Sequence, residues 1–295
     1  MSNMEIGFIS DIHLDFYVKP SLTGHKEEKA IEKFIDNELN LPESDILIIA
    51  GDTSHYNNQI VLLLQKILEK VQYDKIFITY GNHELYLISD KQESKYKTSK
   101  DKIIELKDLC NAIPNVHFLD GNVIEYRGIK IGGTAMWYDF SYGKKIFNLP
   151  KDKILEKWKD VMTDSTRIHG TDFIGIEEPK IYTYKKIKKY TFDPLKFFYE
   201  EYDKMMKIIE ECDIFVSHVG PAVPTNLKPE YQNIDTSFYF FDGEHILNKD
   251  KAPKLWFFGH THENYYFKIN QTQLLCNPKG YKSEKLGNAV EIIDF

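Results

Sequence analysis

Three observations predict an α/β fold for this chain. Short apolar runs alternate with amphipathic segments through the first half, a hairpin pattern replaces that alternation near residue 123, and a strand-rich tail follows the last motif. The first half reads as strand 5–10, helix 26–39, strand 45–50, helix 57–71, strand 75–80, helix 99–111 and strand 115–119, which places helices outside a sheet. Residues 123–126 and 129–133, separated by Arg127-Gly128, read as a hairpin that opens a second sheet. After Gly220-Pro221 a loop leads to strand 255–258, and segments 264–269, 273–276 and 289–293 are expected to complete that second sheet. The whole chain, 1–295, is read as one domain. Within it, 137–194 lacks strand periodicity but is rich in Lys, Tyr and Phe, so it is read as a cap-like insertion, with a peripheral helical decoration as the alternative.

Chemistry concentrates in five polar islands, each directly after a strand-like run: Asp11-Ile12-His13, Gly51-Asp52-Thr53, Gly81-Asn82-His83-Glu84, Ser217-His218 and Gly259-His260-Thr261-His262. Ligands of α/β proteins bind at the carboxyl ends of strands, so islands from both ends of the chain can meet in one crevice. Asp-x-His or Gly-Asp alone is an ordinary turn. Gly-Asn-His-Glu and Gly-His-Thr-His are more specific, because glycine lets the backbone bend while the next side chains point into one space. Imidazoles, two carboxylates and an Asn carbonyl suit divalent Mn, Fe, Zn, Co or Ni better than Ca or Mg, which prefer all-oxygen shells. Two such ions could clamp a phosphoryl centre.

These islands, in this order, resemble the calcineurin-like metallophosphoesterase superfamily. The resemblance implies a four-layer αββα sandwich and a metal-dependent phosphoric ester hydrolase with two divalent ions, Mn first among the candidates. It implies Asp11, His13 and His262 as ligands of one ion, Asn82, His218 and His260 as ligands of the other, and Asp52 between them. His83 is then left to contact the phosphate and protonate the leaving oxygen. The expected reaction is in-line attack of a metal-bridging hydroxide on a phosphodiester derived from nucleotides or nucleic acid. Phosphomonoesterase, nuclease and non-catalytic scaffold are the alternatives. Gly133-Thr134-Ala135-Met136-Trp137-Tyr138-Asp139-Phe140, Met162-Thr163-Asp164 and Asn277-Pro278-Lys279-Gly280-Tyr281 are similar to segments of poorly characterised bacterial members, the last read as a turn supporting the metal loop. The phosphoprotein phosphatase block Gly-Asp-x-Val-Asp-Arg-Gly is replaced by Gly51-Asp52-Thr53-Ser54-His55, so its phosphate-holding Arg is missing.

Composition agrees with an enzyme of this kind. The chain has 295 residues, 42% hydrophobic and 14% aromatic, enough for a substantial core. Its apolar runs fall short of a membrane span and its start lacks a signal-peptide pattern, so a soluble, cytoplasmic protein without membrane partners is expected. Cys110, Cys212 and Cys276 form no close-spaced pair and are expected to be reduced and buried. A net charge of −7 argues against a surface devoted to duplex nucleic acid. One basic stretch, Ser141 to Lys196, holds 13 Lys/Arg against 8 Asp/Glu, including Lys185, Lys186, Lys188 and Lys189. It reads as a solvated face, with a substrate lane as the alternative. His25, His55, His117, His169 and His245 are read as surface or core residues, His55 being nearest in sequence to an island.

Overall fold

The structure, a computed structural model, describes residues 4–170, 192–286 and 289–295, together with the backbone of 173–177 and 187–190. Its strands are β1 (Glu5–Ile9), β2 (Ile46–Ala50), β3 (Lys75–Thr79), β4 (Val116–Phe118), β5 (Asn122–Tyr126), β6 (Ile129–Gly133), β7 (Phe173–Glu177), β8 (Ile187–Tyr190), β9 (Ile214–Val216), β10 (Leu255–Phe258), β11 (Tyr265–Ile269), β12 (Thr272–Cys276) and β13 (Glu291–Asp294). One sheet runs β13-β1-β2-β3-β4 and the other β11-β12-β10-β9-β6-β5. β1 to β4 are parallel, as are β6, β9, β10 and β12. Their carboxyl ends carry the five islands.

The parity of each strand explains why two sheets stack. In β2, Ile46, Ile48 and Ala50 join Ile6 and Phe8 of β1, Ile214 and Val216 of β9, and Leu255 and Phe257 of β10 in one apolar layer between the sheets. The alternate residues Leu47, Ile49, Ile9, Phe215, Trp256 and Phe258 face outward into the cluster that includes the helices. Hence every position of β2 is buried, as a strand covered on both faces requires. Each such side chain contributes about 1.5–3 kcal/mol through burial.

The covering helices follow from the sequence pattern. Asn57–Lys70 buries Ile60, Leu63, Leu64 and Ile67, one face of a 3.6-residue repeat. Ser99–Asn111 starts at a capping box made by Thr98 and Asp101. Pro194–Ile208 begins with Asp193 capping the amides of Leu195 and Lys196, and Pro194 supplies a pre-set φ. The expected helix 26–39 is an α-helix, His25–Phe34, that ends in a π-turn, Ile35–Leu39.

Three expectations need correction. The last strand does not complete the second sheet: β13 pairs antiparallel with β1, Ile6 opposite Ile293. β1 would otherwise be an unpaired edge, and Asn277, whose side chain donates to the carbonyls of Phe8 and Ala289, ties the returning chain there. The 137–194 segment is not free of strands, since β7 and β8 pair antiparallel after the helices Ser141–Phe147 and Lys151–Val161. The connection after Pro221 is not a plain loop either, holding the turns Pro229–Tyr231 and Ile234–Phe238 and the helix Glu244–Leu247. Of the basic run, Lys185 and Lys186 lie outside the described residues. All three cysteines are free and buried, and among the described residues no helix is long and apolar enough to cross a membrane.

The rings of Phe8 and Phe257 meet across the sheet interface at 5.0 Å. Phe257→Ala leaves a cavity between two sheets that cannot collapse independently, so urea unfolding is expected to show a loss of about 3–5 kcal/mol.

Candidate metal centre

Each island sits where a strand ends and the chain must turn sharply. Asp11, His13, Asp52, His260 and His262 all have positive φ, between 47° and 72°, a conformation rare for residues with side chains. The surrounding loops hold them there. The amides of Asp11 and His13 donate to the carbonyls of Gly51 and Asp52, and the amide of His260 donates to both Asp11 carboxylate oxygens at 3.0 and 3.1 Å. Asp52 Oδ1 accepts from the His83 amide at 2.9 Å.

Glu84 is the clamp that the sequence did not disclose. Its carboxylate, 1% exposed, accepts from the backbone amides of Gly81, Asp52, Thr53 and Ser54, at 2.7, 3.0, 2.5 and 3.4 Å. Burial, with Asp52 adding to it, pushes its pKa up to about 6, yet four N–H donors are matched only by the ionised form. One carboxylate therefore joins the β2 and β3 loops.

The seven predicted ligands converge. Asp11, His13 and His262 form one group of donor atoms within 4.8 Å of one another, and Asp52, His218 and His260 form another. Asp52 Oδ2 lies 3.9 Å from His13 Nε2 and 3.4 Å from His218 Nε2, between the groups. Asn82 Oδ1 stands 3.1 Å from His218 Nε2.

The hydrogen bonds show which atoms face inward. His218 Nδ1 is bonded to the Ala50 carbonyl, which leaves Nε2 for the centre. His260 Nε2 is bonded to the Phe238 carbonyl, leaving Nδ1. His262 Nδ1 meets Glu284 at 2.8 Å, so its Nε2 faces His13 Nε2 at 2.9 Å. Asn82 Nδ2 donates to Tyr86 Oη and Asp164 Oδ1, at 2.8 and 3.0 Å, which turns its carbonyl oxygen inward. Nitrogen and oxygen atoms thus converge around two carboxylates. This donor set fits divalent cations, and its outer partners are of the kind that orient metal-bound imidazoles.

Electrostatics agree with that fit. Burial pushes His13 and His260 down to about 3, so both are neutral ligand-type imidazoles. Burial also works against a charged His218, but Asp52 outweighs it and holds the group up to about 10. Burial would raise Asp52, yet His218 and His83 keep it well below the ordinary carboxylate range. The centre draws positive charge to Asp52.

His83 stands at the edge of the cluster, where its ring forms a third close group of donor atoms with His13 and Asp52. Its Nε2 is 3.8 Å from Asp52 Oδ2 and 3.0 Å from Tyr281 Oη, and burial holds the ring well below its ordinary pKa. His55, buried, stacks on the His83 ring at 4.5 Å and 23° and bonds Asp15 through Nδ1 at 2.5 Å, so it supports His83 instead of joining the donors. A cavity of about 710 Å³ opens over Asp52, Asn82 and His83. Val161, Met162 and Thr163 form part of its wall, as do Glu230, Tyr231 and Tyr239 from the connection after Pro221. Sequence reasoning missed Glu84, Asp164, Tyr281 and Glu284 as site residues; the similarity of the 162–164 and 277–281 segments to other family members was the available signal for Asp164 and Tyr281.

Glu84→Gln keeps the size of the side chain but sets an amide donor against backbone donors. A loss of about 1–3 kcal/mol in unfolding free energy is expected, measured with and without added metal. An unchanged midpoint would remove Glu84 from its place as the clamp.

Comparison with known proteins agrees with the geometry. The chain matches the family described as calcineurin-like phosphoesterase over residues 4–264. It is 23% identical to uncharacterized protein L509 of Acanthamoeba polyphaga mimivirus, over 94% of this chain and 91% of that one. The crystal structure of phosphopantetheinyl hydrolase (PptH) from Mycobacterium tuberculosis shares the fold, with a TM-score of 0.66 and 16% identity across 98% of this chain and 96% of that one. With the family matched from the first strand to the last histidine island, this chain belongs to the calcineurin-like phosphoesterases and is a metal-dependent phosphoester hydrolase.

Proposed function

We propose that the protein is a dinuclear phosphodiesterase in which Asp11, His13 and His262 hold one ion, Asn82, His218 and His260 hold the other, and Asp52 is shared. The observation that carries this is the position of Asp52 Oδ2 between two inward-facing donor groups. When bound, two such ions supply Lewis acidity to phosphoryl oxygens and bring the pKa of a water to about 7. The family resemblance puts Mn first, with Fe, Zn, Co or Ni as alternatives, and the mixed nitrogen and oxygen donors are compatible with each of these first-row ions.

The chain's own residues do the orienting. Asp164, accepting from Asn82, Tyr86 and Tyr138, keeps the Asn82 amide in one orientation. His83, backed by His55, meets the phosphate and assists the departing oxygen, where its loss costs what loss of a general acid costs. The 137–194 segment acts as a cap through Val161, Met162 and Thr163.

The cavity wall guides the substrate reading. Among the described residues no Lys or Arg lines it, whereas Glu230, Asp235 and Glu263 do, along with Tyr231, Tyr239 and Tyr265. Glu263 and Asp235 are paired with Lys228 and Lys157, and the tyrosines offer aromatic faces on which a base can stack. We read this wall as suited to a small nucleotide-type diester.

A metal-reconstituted sample tested on bis(4-nitrophenyl) phosphate, 4-nitrophenyl phosphate, a cyclic nucleotide and single-stranded DNA should favour the diester and cyclic nucleotide. Preference for the monoester, or for DNA, would overturn the substrate reading. Metal analysis should give two ions per chain, with Asp52→Asn weakening both sites, His262→Ala mainly one and His218→Ala the other. Full activity with a single ion would refute the dinuclear assignment. His83→Ala should keep the metal content and lower kcat by roughly 10² to 10⁴, less for good leaving groups. An unchanged rate on an alkyl leaving group would end the proposed role of His83.

A further inference from the structure

The loop after β12 does more than support the metal loops. It runs alongside the Asp11 island, the amides of Lys279 and Gly280 donating to the carbonyls of Ser10 and Asp11, each at 2.9 Å. Gly280 sits at φ 73°, and the Tyr281 amide donates to Glu284 Oε2 at 2.7 Å, the same carboxylate that holds His262 Nδ1. The Tyr281 ring is fixed in turn. It stacks on His13 at 4.3 Å and 29° and meets His262 edge-on at 4.8 Å. Its hydroxyl ends 3.0 Å from His83 Nε2, and the residue lines the cavity with Asp52, Asn82 and His83.

We infer that Tyr281 is a catalytic residue in its own right, its hydroxyl donating a hydrogen bond to a non-bridging oxygen of the scissile phosphate. The inference rests on the phosphoesterase reading of this site. Tyr281 and His83 line the same cavity with Nε2 and Oη 3.0 Å apart, so neighbouring oxygens of one phosphate can meet both groups. With His83 Nε2 turned to the substrate, the phenol keeps its own proton for a second phosphate oxygen, so the two side chains can donate side by side. A ring held by stacking and a backbone held by Glu284 and Asp11 make it a donor that needs no reorganisation when substrate arrives.

Tyr281→Phe tests this, because it keeps the stacking on His13 and removes only the hydroxyl. In metal-loaded enzyme the expected result is wild-type metal content and a fall in kcat/KM of about ten- to a hundredfold, as for loss of one hydrogen bond to a charged group. The fall should be equal for good and poor leaving groups. Inorganic phosphate, titrated calorimetrically, should bind more weakly by a similar factor. Metal loss in parallel with activity would overturn the inference in favour of a purely supporting loop. Unchanged kcat/KM and phosphate affinity would overturn it, as would a loss confined to poor leaving groups, which would mean that Tyr281 acts only through His83. Tyr281→Leu, which removes the stacking as well, should additionally lower metal content. Phosphate binding requires no turnover, so a wild-type protein that binds phosphate but hydrolyses no ester would count against the proposed function and not against the Tyr281 contact.

Discussion

Two buried carboxylates, Asp11 and Asp52, stand among imidazoles and an amide whose nitrogen and oxygen atoms converge on them, and the rest of the structure is arranged around that electrostatic demand. Such a cluster is costly without positive charge, because burial removes the water that would otherwise solvate it. Even within the protein alone, His218 keeps a proton against desolvation in order to face Asp52. The fold tolerates the cluster because the carboxyl ends of parallel strands from both sheets open onto the same place. β1, β2 and β10 then deliver their residues through turns with left-handed backbone angles.

Those turns hold because their hydrogen bonds cross from loop to loop. Glu84 joins the β2 and β3 loops, the Asp11 carboxylate receives the His260 amide from the other sheet, and the loop after β12 follows the Asp11 island. A positive φ at five site residues is a local penalty that a single loop would relax. Mutual bonding removes that option. The donor side chains are therefore held by the same bonds that hold the loops carrying them.

Beyond the ligands, the outer partners divide the centre into two differently supported halves. The half around His13 and His262 depends on Glu284 and the Tyr281 ring, from the tail of the second sheet. The half around Asn82 depends on Asp164, Tyr86 and Tyr138, and Trp158 bonds Tyr138 from within the 137–194 segment. This segment is thus tied to a metal-side residue through buried hydrogen bonds as well as bordering the cavity. Substrate-facing wall and ligand orientation are physically linked there.

The sequence by itself determined the α/β class and the islands that follow the strands, because strand periodicity is a local signal that survives without tertiary context, and the family resemblance of the islands named the seven residues that the fold brings together. Tertiary structure alone decided where β13 pairs, since an edge strand accepts whichever segment the chain returns, and alternation of apolar residues cannot name the partner. It also decided the roles of Glu84, Asp164, Tyr281 and Glu284. Each acts at least in part through residues brought near by folding: Asp164 reaches Asn82 from 82 positions away and Tyr281 reaches His83 from 198. A spacing of that kind leaves no periodic trace in a sequence. The donors could be read because each follows a strand, whereas Asp164, Tyr281 and Glu284 come from segments that only the fold brings beside them.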